Sequence, residues 1–133
     1  MKFLRLSILA SGAVGCTLTI PAIATAQESG ITVEAAVATA ISDRLPVDTG
    51  SAFPADVGRL WLWTKVSGAD GMTIVHAWSH GDNEWVVPLA IGANDWRTWS
   101  NKTIPPEWTG EWKVEVRDEI GNVLKTVTFT VGS

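Results

Sequence analysis

The chain has 133 residues, a formal net charge of −4 at pH 7 and one cysteine. The acidic balance argues against nucleic acid and anionic lipid as partners. Eight residues are tryptophan, and four of these lie between residues 94 and 112. Such a density of indole raises the question of whether the rings bind a ligand or fill a core.

Residues 1–26 have the features of a secretory signal peptide. Lys2 and Arg5 precede an apolar run that is too short and too rich in small residues for a membrane span. The Ala-Thr-Ala segment at 24–26 then supplies a cleavage site. Cleavage after Ala26 predicts a single mature domain over 27–133, periplasmic or secreted, with no transmembrane segment.

The only cysteine, Cys16, offers a second interpretation of this segment. A lipoprotein would be modified at Cys16, but the three residues before it fit a lipobox imperfectly, so we prefer cleavage after Ala26. Loss of two of the ten basic residues leaves eight against 14 acidic residues, a formal charge of −6. The mature protein is expected to lack disulfides, thiol nucleophiles and cysteine metal sites.

From residue 31 onward, short apolar alternations are separated by turn residues. This pattern predicts an all-β domain, a small antiparallel β-sandwich of immunoglobulin or fibronectin type with about seven strands. The predicted strands are 33–44, 59–66, 72–80, 85–92, 95–104, 111–118 and 122–131. Residues 45–58 are predicted to be an irregular loop and 119–122 a hairpin turn. Pro88 inside a strand predicts an edge position, because proline has no N–H to donate.

Strand alternation assigns two tryptophans to the core. Trp112 shares a face with Val114 and Val116, and Trp85 belongs to a uniformly apolar row, so both rings are predicted to be buried. Trp108 lies in the loop before the last hairpin and is expected to cap an open end of the sandwich.

The segment 95–104 brings an arginine between two tryptophans. Trp96 and Trp99 are three residues apart, so one is expected in the core and the other at the surface. Arg97 lies between them. It either stacks on an indole or grips a carboxylate with its planar fork, or it simply pairs with an acidic neighbour on the surface.

The segment 59–66 leaves two alternatives open. If Leu60 and Leu62 face the core, Trp61 and Trp63 are exposed and suited to stacking against a sugar or an aromatic ligand. If the tryptophans face the core, the preceding loop must cover the leucines.

The segment 72–80 places His76, Trp78 and His80 on one strand face. The two histidines are about 13 Å apart in an extended strand, too far to share one metal ion, so no metal or cofactor is expected. His76 either packs beside Trp78 as a hydrogen-bonded histidine or contributes with Trp78 to a ligand site.

The sequence carries no catalytic motif. Ser79 and Ser100 are candidate nucleophiles and His76 a candidate base, but there is no Gly-x-Ser-x-Gly turn. The paired carboxylates at Asp118 and Glu119 are surface neighbours at a hairpin rather than partners across a cleft. We therefore expect no enzymatic activity.

Three ordered motifs resemble a bacterial domain family of unknown function: a His-x-Trp strand, a Trp-Arg-Thr-Trp-Ser segment and a closing Gly-x-Trp-x-Val hairpin. The resemblance covers roughly residues 37–131 and implies a small all-β domain, found alone behind a signal peptide or attached to larger envelope proteins. Its motif residues in this chain are His76, Trp78, Trp96, Arg97, Thr98, Trp99 and Ser100. This chain departs from the expected tyrosine or phenylalanine at Trp61 and Trp63.

Two functions follow as expectations. The first is a non-catalytic envelope binding module that recognises a cell-envelope glycan, or a peptide linked to one. Its candidate ligand-binding residues are Trp61, Trp63, His76, Trp78, Arg97 and Trp99. The alternative is a structural or protein–protein interaction module of a larger envelope assembly.

Overall fold

The computed structural model describes residues 30–132. The strands are β1 (Thr32–Ala38), β2 (Ala40–Ser42), β3 (Leu45–Val47), β4 (Ala52–Phe53), β5 (Gly58–Ser67), β6 (Thr73–His80), β7 (Asn83–Ala90), β8 (Asp95–Ile104), β9 (Gly110–Arg117) and β10 (Val123–Val131). The predicted leader, its cleavage site and Cys16 lie outside the described residues. Within residues 30–132, no helix is long and apolar enough to span a membrane.

The strands form two main sheets and one small hairpin. One sheet has three strands in the order β1-β5-β8, and the other has five in the order β4-β10-β9-β6-β7. All pairings are antiparallel except that of β4 with β10, and β2 pairs with β3 alone. Buried residues from both sheets share one hydrophobic cluster. The all-β, sandwich-like prediction is therefore confirmed.

Alternating apolar residues build the core from both sides. Leu60 and Leu62 of β5 are fully buried, and so are Trp112, Val114 and Val116 of β9. Each such aliphatic side chain contributes roughly 1.5–3 kcal/mol by leaving water. The core position predicted for Trp112 is confirmed, and the leucine row of β5 faces inward.

The predicted edge strand and the last hairpin are both present. β7, which contains Pro88, is the outer strand of the five-stranded sheet. Between β9 and β10, the carboxylate of Asp118 accepts hydrogen bonds from the backbone N–H groups of Ile120 and Asn122. Gly121 adopts a φ of 98°, which suits glycine in a tight turn.

The single strand predicted over 33–44 is wrong, as is the irregular loop predicted over 45–58. The strand ends at Ala38, and β2 and β3 form a hairpin in its place. The turn residues Asp43 and Arg44 have φ values of 52° and 66°. Aspartate is common at the first of these positions, but Arg44 lies where such a hairpin usually has glycine, so half of the usual sequence signal is missing. The predicted loop also contributes β4, which pairs with the end of β10.

Candidate functional site

The side chains of the three-stranded sheet that point away from the core form what we call the outer face. Strand register arranges them in rows across β1, β5 and β8. These rows are Thr32–Ser67–Asp95, Glu34–Lys65–Arg97, Ala36–Trp63–Trp99 and Ala38–Trp61–Asn101. Successive rows are about 7 Å apart, because they are separated by two residues of extended strand. The charged row of Lys65 and Arg97 therefore lies directly beside the row of Trp63 and Trp99, and the row of Trp61 follows one step further along the strands.

The hairpin of β2 and β3 covers part of the outer face. The indole Nε1 of Trp63 donates a hydrogen bond of 2.9 Å to the carbonyl oxygen of Arg44 in the hairpin turn. Trp63 is only 8% exposed, and Ala38, on the same face, is fully buried. The exposure expected of Trp63 as a stacking ring is therefore wrong. The segment that precedes β5 covers this tryptophan, while the leucines on the other side of β5 face the core.

Two further indoles on the outer face keep partial access to solvent. Trp61 and Trp99 are partly buried, and Trp99 lies opposite Trp63 in the register. The guanidinium carbon of Arg59 is 5.9 Å from the Trp61 ring centroid, within the range of a cation–π contact. These two rings are the partly exposed indoles that belong to the outer face.

Trp96 and Trp99 divide between the two sides of their strand, as expected. Trp96 lies opposite Val66, which faces inward, and packs against the hydrophobic core. Trp99 belongs to the outer face, and both rings are partly buried. Gly92 permits the Trp96 position, because a Cβ at residue 92 would lie 2.9 Å from the indole Cη2.

A groove of about 470 Å³ opens at the charged end of the outer face. A neighbouring depression of about 260 Å³ shares Glu34 and Lys65 with it. The groove combines apolar walls with two carboxylates and two cations, which suits a polar ligand with some apolar surface. Its lining residues are Glu34, Leu45, Trp63, Lys65, Asp95, Trp96 and Arg97.

The two cations of the groove form no close ion pair among the described residues, although Glu34 lies opposite Lys65 in the register. Lys65 and Arg97 lie opposite each other, an arrangement of like charges that destabilises a sheet by a few tenths of a kcal/mol, up to about 1. Among the ion pairs within 4.0 Å in residues 30–132, none includes either side chain. The Asp95 carboxylate instead accepts a hydrogen bond of 2.7 Å from the Ser67 hydroxyl. The surface alternative for Arg97, a simple ion pair, is therefore not what the structure contains.

On the outward surface of the five-stranded sheet, two cations form ion pairs with carboxylates. Arg117 of β9 contacts Glu115 at 2.6 Å and Glu84 at 2.8 Å, and Lys113 lies 3.5 Å from Glu115. The hydrogen bond from Arg117 lowers the pKa of Glu115. Arg117 and Lys113 of the five-stranded sheet thus form ion pairs within the protein, whereas Lys65 and Arg97 of the groove form none within 4.0 Å among residues 30–132.

Two predicted ligand-binding residues lie inside the core instead. His76 and Trp78 are fully buried, so the expected exposure of Trp78 is wrong. The imidazole Nδ1 lies 2.7 Å from the Ser100 hydroxyl and Nε2 lies 3.2 Å from the Thr64 hydroxyl. Burial lowers the pKa of His76 to about 4. The interpretation of His76 as a hydrogen-bonded packing residue beside Trp78 is confirmed.

The His76–Ser100 contact has the length of a nucleophile–base pair but not its setting. Both residues are buried, and the Ser100 hydroxyl also accepts a 3.0 Å hydrogen bond from Trp78. A substrate carbonyl would need to enter the packed core to reach this oxygen. Within residues 30–132, no group of three His, Cys, Asp or Glu side chains is arranged to hold a metal ion.

A cluster of rings covers one end of the sandwich. Trp108 lies 5.3 Å from His80 and 5.3 Å from Trp85, and its carbonyl oxygen accepts a hydrogen bond from the Trp112 indole. The predicted capping role of Trp108 is confirmed. Trp85 is only partly buried, and the Lys102 ammonium lies 4.1 Å from its ring centroid.

Sequence reasoning missed several lining residues of the groove. Glu34 and Asp95 are contributed by β1 and β8, and Leu45 by the hairpin. Lys65 shares a strand face with Trp61 and Trp63, and this alternation was the one available signal for its position. The cross-strand register that joins these residues depends on contacts distant in the sequence.

Comparison with known proteins adds one match. A search of curated proteins found no similar sequence. The match covers only residues 71–131, which contain β6 to β10 and include Arg97 and Trp99 but not Trp61 or Lys65. Over these residues, the chain is similar to the family model described as "Protein of unknown function (DUF2914)".

Proposed function

We propose that the domain is a non-catalytic binding module that recognises a cell-envelope glycan on the outer face of the three-stranded sheet. The observation that carries the proposal is the register of the outer face, in which Trp99 lies in the row next to Lys65 and Arg97 and Trp61 lies in the row after that. Two accessible indoles and two unpaired cations lie on one surface, next to an open groove.

The chemistry of this surface suits a sugar. An indole presents a flat apolar face to the C–H groups of a pyranose, while neighbouring polar groups bind its hydroxyls. Trp99 and Trp61 supply the rings, and Asn101 is an exposed amide in the row of Trp61. Arg97 offers a planar set of donors next to Trp99 in the same face. The expected envelope location rests on the signal-peptide prediction for residues 1–26.

The absence of catalysis in this proposal rests on burial. His76, the base with the most strongly lowered pKa, is enclosed by the core and bonded on both ring nitrogens. The groove holds carboxylates at Glu34 and Asp95, but Asp95 is hydrogen-bonded to Ser67 within the sheet. Binding without turnover is therefore the function that this site supports best.

Tryptophan emission tests the proposal. The purified protein is titrated with solubilised peptidoglycan and with envelope polysaccharide, alongside a Trp99→Ala variant. We expect a saturable spectral shift that Trp99→Ala loses. Trp85→Ala is the matched control, because it removes another partly buried indole from the other sheet and should keep the shift. Failure of the unaltered protein to respond to either polymer contradicts the proposal.

One observation favours the alternative, a protein-interaction module. β8 is a ten-residue edge strand of the three-stranded sheet, paired with β5 on one side. An edge strand can accept an extended peptide as a further strand. A photocrosslinker at Asn101 of β8 should then capture a discrete protein partner, whereas one at Thr126 of β10 should not.

A further inference from the structure

The row of Glu34, Lys65 and Arg97 on the outer face bears on the charge of the ligand. Lys65 and Arg97 lie on adjacent strands, about 5 Å apart in the pairing direction, and point to the same side. Two cations held this close are unfavourable unless an anion lies between them. Arg117 on the other sheet has carboxylate oxygens at 2.6 and 2.8 Å, whereas no carboxylate among residues 30–132 forms an ion pair within 4.0 Å with Lys65 or Arg97.

The groove also limits how much negative charge it can take. Glu34 lies opposite Lys65, and Asp95 is part of the same lining, so two carboxylates accompany the two cations. A singly charged carboxylate meets less repulsion there than a doubly charged phosphate. The planar guanidinium of Arg97 also matches the two oxygens of a carboxylate.

We propose that the site selects an acidic glycan, whose carboxylate lies between Lys65 and Arg97 while a sugar ring stacks on Trp99. This inference rests on the proposed glycan-binding function and specifies its ligand. The row that contains Trp99 is about 7 Å from the row of the two cations, and this distance is within reach of the long Lys65 and Arg97 side chains. One carboxylated saccharide can therefore contact both rows.

Calorimetric titration with three probes tests the inference. The probes are an oligogalacturonate, whose sugar rings carry carboxylates, the same material with its carboxyl groups converted to methylamides, and a neutral N-acetylglucosamine hexamer. We expect amidation to weaken binding by about tenfold, as expected for loss of a charge-assisted contact. The affinity for the untreated material should fall as salt is raised.

Variants identify the residues responsible. Lys65→Gln and Arg97→Gln should each bind untreated and amidated material with similar, weakened affinity. Lys65 is exposed, so its substitution leaves the fold intact even if that of Arg97 does not. Lys125→Gln is the matched control, an exposed lysine on β10 of the other sheet, and should keep the tenfold preference.

The outcomes separate the two proposals. Equal affinity of the unaltered protein for the untreated and amidated material overturns the carboxylate assignment and leaves the glycan function in place. A preference for a phosphorylated N-acetylglucosamine oligomer over the carboxylated material also overturns it. No binding of any saccharide overturns both proposals.

Discussion

The hydroxyl of Ser100 and the Nδ1 of His76 lie 2.7 Å apart at the centre of a directed chain of hydrogen bonds. The Thr64 hydroxyl donates to the Thr98 carbonyl at 2.9 Å, so it can only accept from His76 Nε2. The Nδ1 lone pair must then accept from Ser100, whose oxygen accepts from the Trp78 indole. The chain requires a neutral imidazole with its proton on Nε2.

Removal of the central hydroxyl should destabilise the domain. In Ser100→Ala, the Trp78 N–H and the His76 Nδ1 both lose their partner in a buried setting. We expect the free energy of unfolding to fall by about 1–3 kcal/mol, measured by urea denaturation. Ser79→Ala, on the partly exposed side of β6, should change it by less than about 0.5 kcal/mol. Equal effects of the two substitutions would contradict the assigned chain.

The same histidine should make stability depend on pH. A solvated histidine has a pKa of 6.5, whereas the pKa of His76 in the folded protein is about 4, so the unfolded chain takes up the proton first as pH falls. Stability is therefore complete above about pH 6.5 and decreases down to about pH 4. The predicted loss between pH 7 and pH 5 is about 2 kcal/mol. His76→Gln should lack this part of the pH dependence, and parallel curves for both proteins would show that His76 is not its source.

A substitution in the turn of the hairpin that covers Trp63 should increase the stability of the domain. Arg44 has a φ of 66°, which costs a residue with a Cβ about 1 kcal/mol. Arg44→Gly should raise the free energy of unfolding by about that amount while keeping the carbonyl that binds the Trp63 indole. Arg44→Ala removes the same side chain but retains the Cβ, and it should give no gain. A gain from both variants would instead implicate the arginine side chain.

The wall of the groove depends on a glycine. In Gly92→Ala, the new methyl group would lie 2.9 Å from Cη2 of the Trp96 indole, so the ring must move. We expect a loss of about 1–3 kcal/mol in stability and a shifted Trp96 emission. Gly50→Ala places its methyl at an ordinary 3.8 Å from the Phe53 ring and should be nearly neutral. An unchanged unfolding midpoint in Gly92→Ala would mean that Trp96 does not pack as described.

The sequence was informative where strand alternation alone decides burial. Trp112, with two valines at alternate positions, and Pro88 at an edge both follow from a single strand. The first hairpin was missed because Arg44 adopts a positive φ at the position where glycine usually follows the aspartate of such a turn. The burial of Trp63 was missed for the same reason, since that hairpin covers it.

The candidate site was predictable only in part. Arg97 and Trp99 were identified from their local motif, but the opposition of Lys65 and Arg97 arises from pairing between strands about 30 residues apart. The core position of Trp78 depends likewise on Ser100, 22 residues away on a strand of the other sheet. The alternation of residues within one strand predicts neither the pairing of Lys65 with Arg97 nor the contact of Trp78 with Ser100.

The most direct test of the account is the nitrogen–proton spectrum of the eight indoles during titration with solubilised peptidoglycan. Each tryptophan contributes one indole N–H signal, which single Trp→Phe variants assign. We predict saturable shifts of the Trp61 and Trp99 signals, with the buried Trp78 and Trp112 signals unchanged. Shifts confined to Trp85 and Trp108, or an unchanged spectrum at saturating ligand, would contradict glycan binding on the outer face.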